Sequence, residues 1–570
     1  MTDKKWVRRN FDPDASLRIS TELNLPREIG MLLSARGIST TEEAKIFLSP
    51  SLRDLPDPFL FREMEKAVKR VARAIVNEEK IAIHGDYDVD GITSTALLYL
   101  FLKEVGARNV SYILPNRITD TYGLSMEAVK VLYEKGVTVL ITVDCGSSSY
   151  REVEFAQSHG MDVIITDHHQ IGDRVPPAFA LLNPNRKGCS FPSRELAGVG
   201  VAYYFVIGLR SYLRRTGFFR RREEPNLKKY LDLVALGTIA DIVPLTGANR
   251  IFVKKGLEVL EDTKRPGLVA LKKVAGIENS RITPYTVGFI IAPRLNASAR
   301  LGDTELPFRL LISENLEEGI VIARELEKRN RERQELERLI EKEALEHYSS
   351  SGDAEGRKTL VLYNPEWHPG IIGLVASRLA ERFRKPTFIL GNKGDVTVGS
   401  GRSLPGIHLF SVLKEMEDLF ISYGGHSMAA GLTIEEEKIP LLIERIEEVV
   451  SRIGRDLEIV ETYDFDLQPS RLSMELMEGI NLLQPYGEGN PEPLFRARNL
   501  TVQKRYMTST GNHLKLILED EDGKRFSAIA FRWKGDTPPE ESKVEIIYTP
   551  HINTYNGFKE IELHIADILR

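Results

Sequence analysis

The stretch from Met64 to Thr166 alternates short segments that are apolar throughout with longer segments whose apolar residues recur at helical spacing. Strands are predicted at 81–84, 110–114, 138–143 and 162–166, and helices at 64–77, 93–105, 125–135 and 148–158. Strands without polar positions are typical of a parallel sheet that helices cover on both faces. The pattern therefore predicts an α/β domain built on a parallel sheet.

Changes in this pattern divide the rest of the chain. The predicted segments are a helical N-terminal part, the first α/β domain, a connecting helix, a second α/β domain and a C-terminal β-domain, at 1–64, 65–305, 306–350, 351–452 and 453–570. The connecting segment carries Glu/Arg and Glu/Lys pairs four residues apart, which suits a solvent-exposed helix, with a coiled-coil helix as the alternative. Five short strands of alternating polarity near the C-terminus predict a small barrel of the OB type, a fold that often binds single strands.

An acidic segment follows the first predicted strand. His84, Asp86, Asp88 and Asp90 alternate with other residues directly before Gly91. Carboxylates this close repel one another, and a divalent cation would hold them together. Alternating Asp before Gly also resembles the start of an EF-hand calcium loop. That alternative is weaker, because a strand precedes the segment and the glutamate expected at loop position twelve is missing.

Polar clusters also follow two later strands. The segment 144–146 follows the third predicted strand and the segment 167–169 follows the fourth. Ligands of open α/β sheets bind beyond the carboxyl ends of the strands, so these clusters are expected to meet the acidic segment at one rim. Taken alone, Asp144 reads equally as a turn residue, whereas for His168 and His169 a solvated, inert pair is the less favoured alternative.

A further acid, Asp241, ends an apolar helix predicted from Leu231. A carboxylate among Ala, Ile and Val is rarely left unpaired if it is buried, although a turn residue at a helix end is the alternative. Together the clusters predict one wall of a two-metal site that cleaves phosphodiesters. Carboxylates with a few imidazoles suit Mn²⁺ or Mg²⁺, and the histidines favour Mn²⁺.

Basic and glycine-rich segments are candidate phosphate contacts. Segment 210–222 interleaves arginine with aromatic residues, for which we favour a solvated loop over a nucleic-acid contact. Segment 293–300 is predicted as a turn with two arginines and an amide. Segment 367–370 opens a helix whose N-terminus suits a phosphate, and turns at 400–403 and 424–426 combine glycine with arginine or histidine.

Composition narrows the class of protein without deciding it. A chain of 570 residues is long enough for several domains, and no apolar run is long enough to span a bilayer. The net charge of −5 is weak evidence against nucleic-acid binding, because a local groove can still be basic. Two cysteines, Cys145 and Cys189, lack metal-type spacing, and the N-terminus lacks the apolar core of a signal peptide, so a reducing cytoplasm is expected.

The motifs in order resemble the DHH phosphoesterase superfamily. His84-x3-Asp88-x-Asp90, ThrValAspCysGly, ThrAspHisHis and the segment of Asp241 match its pattern, and GlyGlyHisSerMetAlaAlaGly resembles the associated DHHA1 domain. With TrpHisProGlyIleIleGlyLeuValAlaSerArg, ProArgLeuAsnAlaSerAlaArg and the barrel, the chain is similar over roughly 65–570 to the superfamily's single-strand-specific 5′→3′ DNA exonucleases.

The resemblance implies two Mn²⁺ or Mg²⁺ ions and a role for each residue. Its ligands for one ion are His84, Asp88 and Asp144, and for the other Asp90, Asp144, His168 and Asp241. His169 would contact the scissile phosphate, and Asp86 would be a ligand or a supporting group; with Asp144 these form the implied catalytic set. The implied substrate contacts are Asn296, Arg300, Trp367, His368, Arg378, Ser400, Arg402, Gly424, Gly425 and His426. Ala299 stands where family members often have glycine, which bears on the pose of Arg300.

The implied activity is hydrolysis of single-stranded DNA to 5′-mononucleotides in repair and recombination. A phosphodiesterase acting on short oligonucleotides, cyclic dinucleotides or pyrophosphate is one alternative, which the extra domains disfavour. A non-catalytic replication scaffold is another, which the complete ligand set disfavours. Recruitment by a single-strand-binding protein or a helicase stays open, and nothing in the sequence calls for more than a monomer.

Overall fold

The computed structural model describes residues 5–120, 123–172, 174–350, 356–453, 460–508, 511–555 and 558–569. By internal packing the chain forms two units. The larger comprises 56–243 and 255–457, and the smaller comprises 1–55, 244–254 and 458–570. Among the described residues, no helix combines the length and apolar character that crossing a membrane requires.

The helices and strands are numbered here in chain order. The helices are α1 (Pro13–Glu22), α2 (Arg27–Ser34), α3 (Thr41–Leu48), α4 (Met64–Val76), α5 (Val89–Glu104), α6 (Met126–Glu134), α7 (Tyr150–Ser158), α8 (Gly198–Arg215), α9 (Leu231–Ala240), α10 (Gly247–Glu261), α11 (Pro266–Val274), α12 (Pro284–Thr286), α13 (Ala292–Arg300), α14 (Glu305–Ile312), α15 (Leu316–Ser350), α16 (Ile372–Phe383), α17 (Leu409–Lys414), α18 (Ile439–Ile453) and α19 (Met474–Leu482). The strands are β1 (Lys5–Arg8), β2 (Ile81–His84), β3 (Val110–Ile113), β4 (Val139–Val143), β5 (Asp162–Thr166), β6 (Ala180–Leu182), β7 (Leu360–Tyr363), β8 (Thr387–Lys393), β9 (Val396–Arg402), β10 (Phe420–Gly425), β11 (Ala429–Ile434), β12 (Val460–Tyr463), β13 (Phe465–Asp466), β14 (Phe495–Met507), β15 (His513–Glu519), β16 (Arg525–Phe531), β17 (Lys543–Tyr555) and β18 (Phe558–Leu569).

The first sheet of the larger unit is parallel throughout, with strand order β3-β2-β4-β5-β6. This confirms the predicted α/β fold, and the four predicted strands are present with bounds shifted by at most one residue. The strand β6 was not predicted, because three apolar residues carry too little pattern. The residues of β2 and β4 are all buried, as expected for a sheet covered on both faces.

The helix α5 begins at Val89, four residues before its predicted start. Asp88 caps it, since one carboxylate oxygen accepts the backbone N–H groups of Asp90 and Gly91 at 2.9 and 3.2 Å. The acidic segment is therefore half turn and half helix. This change of backbone decides which of its side chains share a direction.

Two predictions about the connecting region are corrected. Segment 306–350 is not one helix, because α14 ends at Ile312 and α15 starts at Leu316 after a cap in which the Asn315 side chain accepts the N–H of Glu318. Segment 293–300 is helical rather than a turn, and Pro293 lies in the first turn of α13, where a missing N–H is harmless. A π-helical turn, Val287–Ile291, joins α12 to α13.

The second sheet has the order β10-β11-β9-β8-β7. Only the pair β7–β8 is parallel, so this α/β domain is mixed rather than parallel. Its core gathers apolar side chains from the sheet and from α18, among them Phe388, Leu432 and Leu442.

The smaller unit contains the predicted barrel. The strands β14, β15, β16, β18 and β17 pair in that order, and β17 also pairs with β14, which closes the barrel. The helices α1 to α3 and α19 share the barrel's core, with Ile29 and Leu33 beside Ile480 and Phe495 in one apolar cluster. The N-terminal segment is thus stabilised by burial against the barrel.

Candidate two-metal active site

The polar clusters after β2, β4 and β5 meet at the carboxyl ends of these strands, where α9 also ends. Three groups of side chains there have ligand atoms within 4.8 Å of one another. The groups are Asp86, Asp88 and Asp144; Asp90, His168 and Asp241; and Asp144, His168 and His169. Asp144 and His168 each belong to two groups, so the arrangement suits two neighbouring cations.

Three buried polar atoms face one another without a hydrogen bond to any described residue: Asp144 Oδ1, His168 Nε2 and Asp241 Oδ2. The imidazole nitrogen lies 3.2 Å from the first oxygen and 3.6 Å from the second. Buried polar atoms almost always have partners. Because all three are good ligand atoms for a hard cation, the residues present fit a divalent metal.

The electrostatics agree with a cation. Burial, and then repulsion among the carboxylates, raises the pKa of Asp86 to about 8 and that of Asp241 to about 9. The same causes raise the pKa of Asp144 well above its usual range. Burial, followed by the charge of the adjacent imidazole, lowers the pKa of His168 to about 4, which keeps it in the neutral form that binds metals. A cation would reverse the cost of ionising these acids.

The implied ligand His84 lies outside these groups. Asp86 joins Asp88 and Asp144, whereas His84 belongs to no such group among the described residues. The His84 ring is buried, and its Nδ1 lies 3.6 Å from Sγ of Cys145. The ligand role of His84 therefore stays a prediction, and the side chain grouped with Asp88 and Asp144 is that of Asp86.

The N-terminus of α8 holds the Asp90 carboxylate in place. The Asp90 carboxylate accepts the backbone N–H groups of Gly198 and Val199 at 2.6 and 2.9 Å. A Cβ on Gly198 would lie 2.3 Å from Asp144 Oδ1, so glycine is required for this close approach. Asp144 itself has φ +60, an uncommon backbone for a non-glycine residue that is typical of functional turns.

His169 carries a positive charge that Asp167 stabilises. One Asp167 oxygen lies 2.8 Å from Nδ1 of His169. Burial opposes the charge, but this hydrogen bond and the carboxylate raise the pKa of His169 to about 9. The loop after the unpredicted strand β6 fixes the histidines, because the amides of Asn183 and Asn185 donate to the carbonyls of His169 and His168 at 2.8 and 2.7 Å.

Residues of the second α/β domain and of α13 contribute a basic group. Arg402 donates to Ser400 Oγ at 3.0 Å, and Arg300 donates to the Gly370 carbonyl at 3.2 Å. Burial lowers the pKa of Arg300 to about 9, and the next largest cause is the charge of Arg117. Buried arginines that repel one another suit an anionic ligand such as a phosphate.

Arg117 is a further basic residue near this group that the sequence motifs do not include. Its guanidinium lies 4.8 Å from the ring centroid of Tyr87, and its charge acts on Asp86, Arg300 and Arg402. A signal existed, because the polar segment around Asn116 follows β3, whose carboxyl end lies at the same rim.

Two predicted substrate contacts lie elsewhere. Trp367 is only 1% exposed, packs in a core and donates to Glu343 at 2.8 Å, so it is structural. Arg378 forms ion pairs of 2.7 and 2.8 Å with Glu337 and Glu341 of α15. The contacts described for these two side chains are with the protein itself, and their implied substrate contacts stay predictions.

The remaining candidates line the turns around Arg300 and Arg402. His368 Nδ1 accepts the N–H of Gly370 at 3.1 Å, and the buried Oδ1 of Asn296 has no hydrogen bond to a described residue. Of the others, Gly424 and Gly425 end β10, and His426 follows in the turn to β11. His426 is exposed, and its charge acts on His168, which places it on the side of the ion site.

The segment 210–222 carries arginines that form exposed ion pairs. Arg215 pairs with Glu65 at 2.6 Å, and Arg214 pairs with Glu224. These ion pairs are exposed, which supports the solvated-loop interpretation.

Family models match three parts of the chain: "DHH family, N-terminal domain" at 80–238, "DHHA1 domain" at 356–452 and "RecJ OB domain" at 463–567. The single-stranded-DNA-specific exonuclease RecJ of Escherichia coli is 38% identical over 98% of both chains. The chain belongs to the RecJ family. The crystal structure of RecJ from Thermus thermophilus in complex with Mn²⁺ matches 99% of this chain and 79% of that chain, with 30% identity and a TM-score of 0.85. The Mg²⁺ complex of the same RecJ matches 99% and 78%, with 29% identity and a TM-score of 0.78.

Membership of the RecJ family agrees with the resemblance drawn from the motifs. The matched DHH segment contains β2, β4 and β5 with their acidic turns, and it ends within α9, just before Asp241. The matched RecJ OB segment covers the strands of the closed barrel.

Proposed function

We propose that this chain is a single-stranded-DNA-specific exonuclease that hydrolyses phosphodiesters from the 5′ end and releases 5′-mononucleotides, with two Mn²⁺ or Mg²⁺ ions. The observation that carries the proposal is the convergence of three unpartnered buried ligand atoms, from Asp144, His168 and Asp241, at one rim of the sheet. A site held together by hydrogen bonds alone would not leave these buried atoms without partners.

The metal-binding role is assigned to six side chains. We assign Asp86, Asp88 and Asp144 to one ion, and Asp90, Asp144, His168 and Asp241 to the other. When bound, two such ions activate a water and stabilise the leaving oxygen. The chain itself contributes the protonated His169, whose charge suits a phosphate oxygen that becomes more negative during cleavage.

The direction of cleavage is assigned to the basic group. Arg117, Arg300 and Arg402 act on one another's charges and lie near the acidic rim, since Asp88 also acts on Arg300. A terminal 5′-phosphate carries more charge than an internal phosphodiester, so it is the group that a cluster of arginines would select.

The barrel supports a single-stranded substrate, because small barrels of this type commonly bind extended strands. A role in DNA repair and recombination, a monomeric state, and recruitment by a single-strand-binding protein or a helicase belong to the same proposal.

A substrate panel tests the activity. We expect the purified chain with Mn²⁺ to degrade a single strand with a 5′-phosphate and a blocked 3′ end, and to spare a 5′-blocked strand and a blunt duplex. The variant Asp144→Asn serves as the control for a contaminating nuclease. Cleavage of dinucleotides or pyrophosphate with intact long DNA would favour a small-substrate phosphodiesterase, and DNA binding without any hydrolysis would favour a scaffold.

The arginine assignment predicts a contrast between two substitutions. We expect Arg402→Gln to lower kcat/KM for a 5′-phosphorylated strand by about 10- to 100-fold, because a charge-assisted hydrogen bond to the phosphate is lost. Arg378→Gln, which removes an arginine paired with Glu337 and Glu341, is the matched control and should change kcat/KM little. Equal losses in both variants would contradict the assignment.

A further inference from the structure

Three of the most exposed large apolar side chains lie on segments next to the C-terminal end of α9, the helix that Asp241 follows. Ile242, Phe289 and Tyr285 are 72%, 70% and 65% exposed. Ile242 follows Asp241 in the turn after α9, and the π-helical turn that carries Phe289 packs on the same helix, since a Cβ on Gly288 would lie 4.0 Å from Ile239. Exposed apolar residues gathered in this way mark an interaction site more often than residues scattered singly.

Ile242 is held outward by an unfavourable backbone. Its φ is +60, which a β-branched side chain rarely adopts. Both the backbone conformation and the exposure of an isoleucine cost free energy, and such costs concentrate at sites with a function. Ile242 directly follows the candidate ion ligand Asp241, and consecutive Cα atoms are about 3.8 Å apart.

Tyr285 and Phe289 form a preassembled aromatic surface. Their rings are stacked, with centroids 4.7 Å apart and an angle of 27° between planes. Tyr285 lies in α12 and Phe289 in the π-helical turn that follows it, and such turns are frequent at functional sites. The same helical run continues to Arg300, so it joins the aromatic pair to the basic group.

We propose that Ile242, Tyr285 and Phe289 form an apolar platform on which bases of the single strand stack beside the ion site. The platform deepens the proposed nuclease function and rests on it. Bases are the fitting occupant, because aromatic rings stack on any base without sequence preference, and an aliphatic side chain can wedge between neighbouring bases. A strand with a phosphate at Asp241 must pass Ile242, whereas a protein bound there would obstruct the strand.

Steady-state cleavage with Mn²⁺ tests the platform with the double variant Tyr285→Ala/Phe289→Ala. We expect KM for a long single strand to rise at least about 10-fold, because stacking on an aromatic side chain contributes strongly to single-strand binding. A dinucleotide, which is too short to cover the platform, should be cleaved with unchanged kcat/KM. Tyr285→Trp/Phe289→Trp keeps the stacking surface and should restore KM. The matched control is Tyr133→Ala, which removes another exposed aromatic ring of the same unit.

A second substrate series separates base stacking from an indirect effect. Single abasic nucleotides are moved stepwise along the strand. The wild-type chain should show a raised KM at one or two positions, and the double alanine variant should lose this dependence. An unchanged KM, or equal losses on the dinucleotide and the long strand, would overturn the platform. If the wild-type chain itself left the long strand intact, the proposed nuclease function would fail instead.

Ile242→Gly provides an independent arm, because glycine relieves the strain at φ +60. We expect equal or higher thermal stability together with a raised KM for the long strand. Higher stability with an unchanged KM would exclude Ile242 from the platform.

Discussion

Asp144→Asn should lower kcat by at least about 1,000-fold while it raises the melting temperature of the ion-free protein. The large loss follows because Asp144 belongs to two of the three ligand groups, so one substitution weakens both proposed ion positions. Asparagine keeps the shape of the side chain and removes only its charge. An effect of this size therefore reports on electrostatics rather than on packing.

The expected gain in stability comes from removing a charge that is unfavourable in the ion-free site. Burial and the neighbouring carboxylates raise the pKa of Asp144, so its ionised form is less favourable in the folded chain than in the unfolded chain. A raised carboxyl pKa means that stability falls as pH rises above the unfolded value of about 3.9, and at neutral pH that cost is present. An asparagine side chain does not ionise, so the substitution removes this cost in the ion-free state.

Thermal unfolding with EDTA and with excess Mn²⁺ checks both statements, beside calorimetric titration of Mn²⁺. Wild type should melt at a higher temperature with Mn²⁺, because an ion that binds only the folded state stabilises it, and the variant should gain less. As a control, Asp232→Asn removes a buried carboxylate that pairs with Arg265 at 3.0 Å, and it should instead destabilise the ion-free protein. Unaltered Mn²⁺ affinity in Asp144→Asn would contradict the assigned ligand role.

The parallel sheet could be predicted because its strands are apolar throughout and its connections are helical. The location of the site could be predicted as well, because the acidic turns follow strands that end at one rim. The short strand β6 could not be predicted. The amides of Asn183 and Asn185, which follow this strand and fix the two histidines, could therefore not be predicted as part of the site. Local pattern thus indicates where ligands collect, while the supporting contacts depend on strands too short to have a pattern.

The separation of His84 from the acidic groups shows what residue spacing alone does not predict. Alternate residues share one side only in an extended chain, and here the backbone leaves the strand after His84 and becomes helical at Val89. His84 thus turns towards Cys145, while Asp86 and Asp88 turn towards Asp144. The burial of Trp367 could not be predicted, because a tryptophan in a turn gives no sign in the sequence that it will be buried.

Gly198→Ala should lower activity about 100-fold without unfolding the chain. The added Cβ would lie 2.3 Å from Asp144 Oδ1, so the carboxylate must move, and small displacements of reacting groups cost rates of this order. The N–H of Gly198 also anchors Asp90, so a shift of α8 would disturb the second ligand group as well.

Gly208→Ala on the same helix is the matched control. Its added Cβ would meet Sδ of Met64 at 2.9 Å, and a methionine side chain can move aside. Both variants gain the helix propensity of alanine, so a difference between them isolates the contact with Asp144. We expect weaker Mn²⁺ binding by calorimetry and slow cleavage in Gly198→Ala alone, with similar unfolding of both variants in EDTA. Full Mn²⁺ affinity in Gly198→Ala would show that Asp144 tolerates displacement, and the close approach of α8 would then be a packing feature rather than a requirement of the ion site.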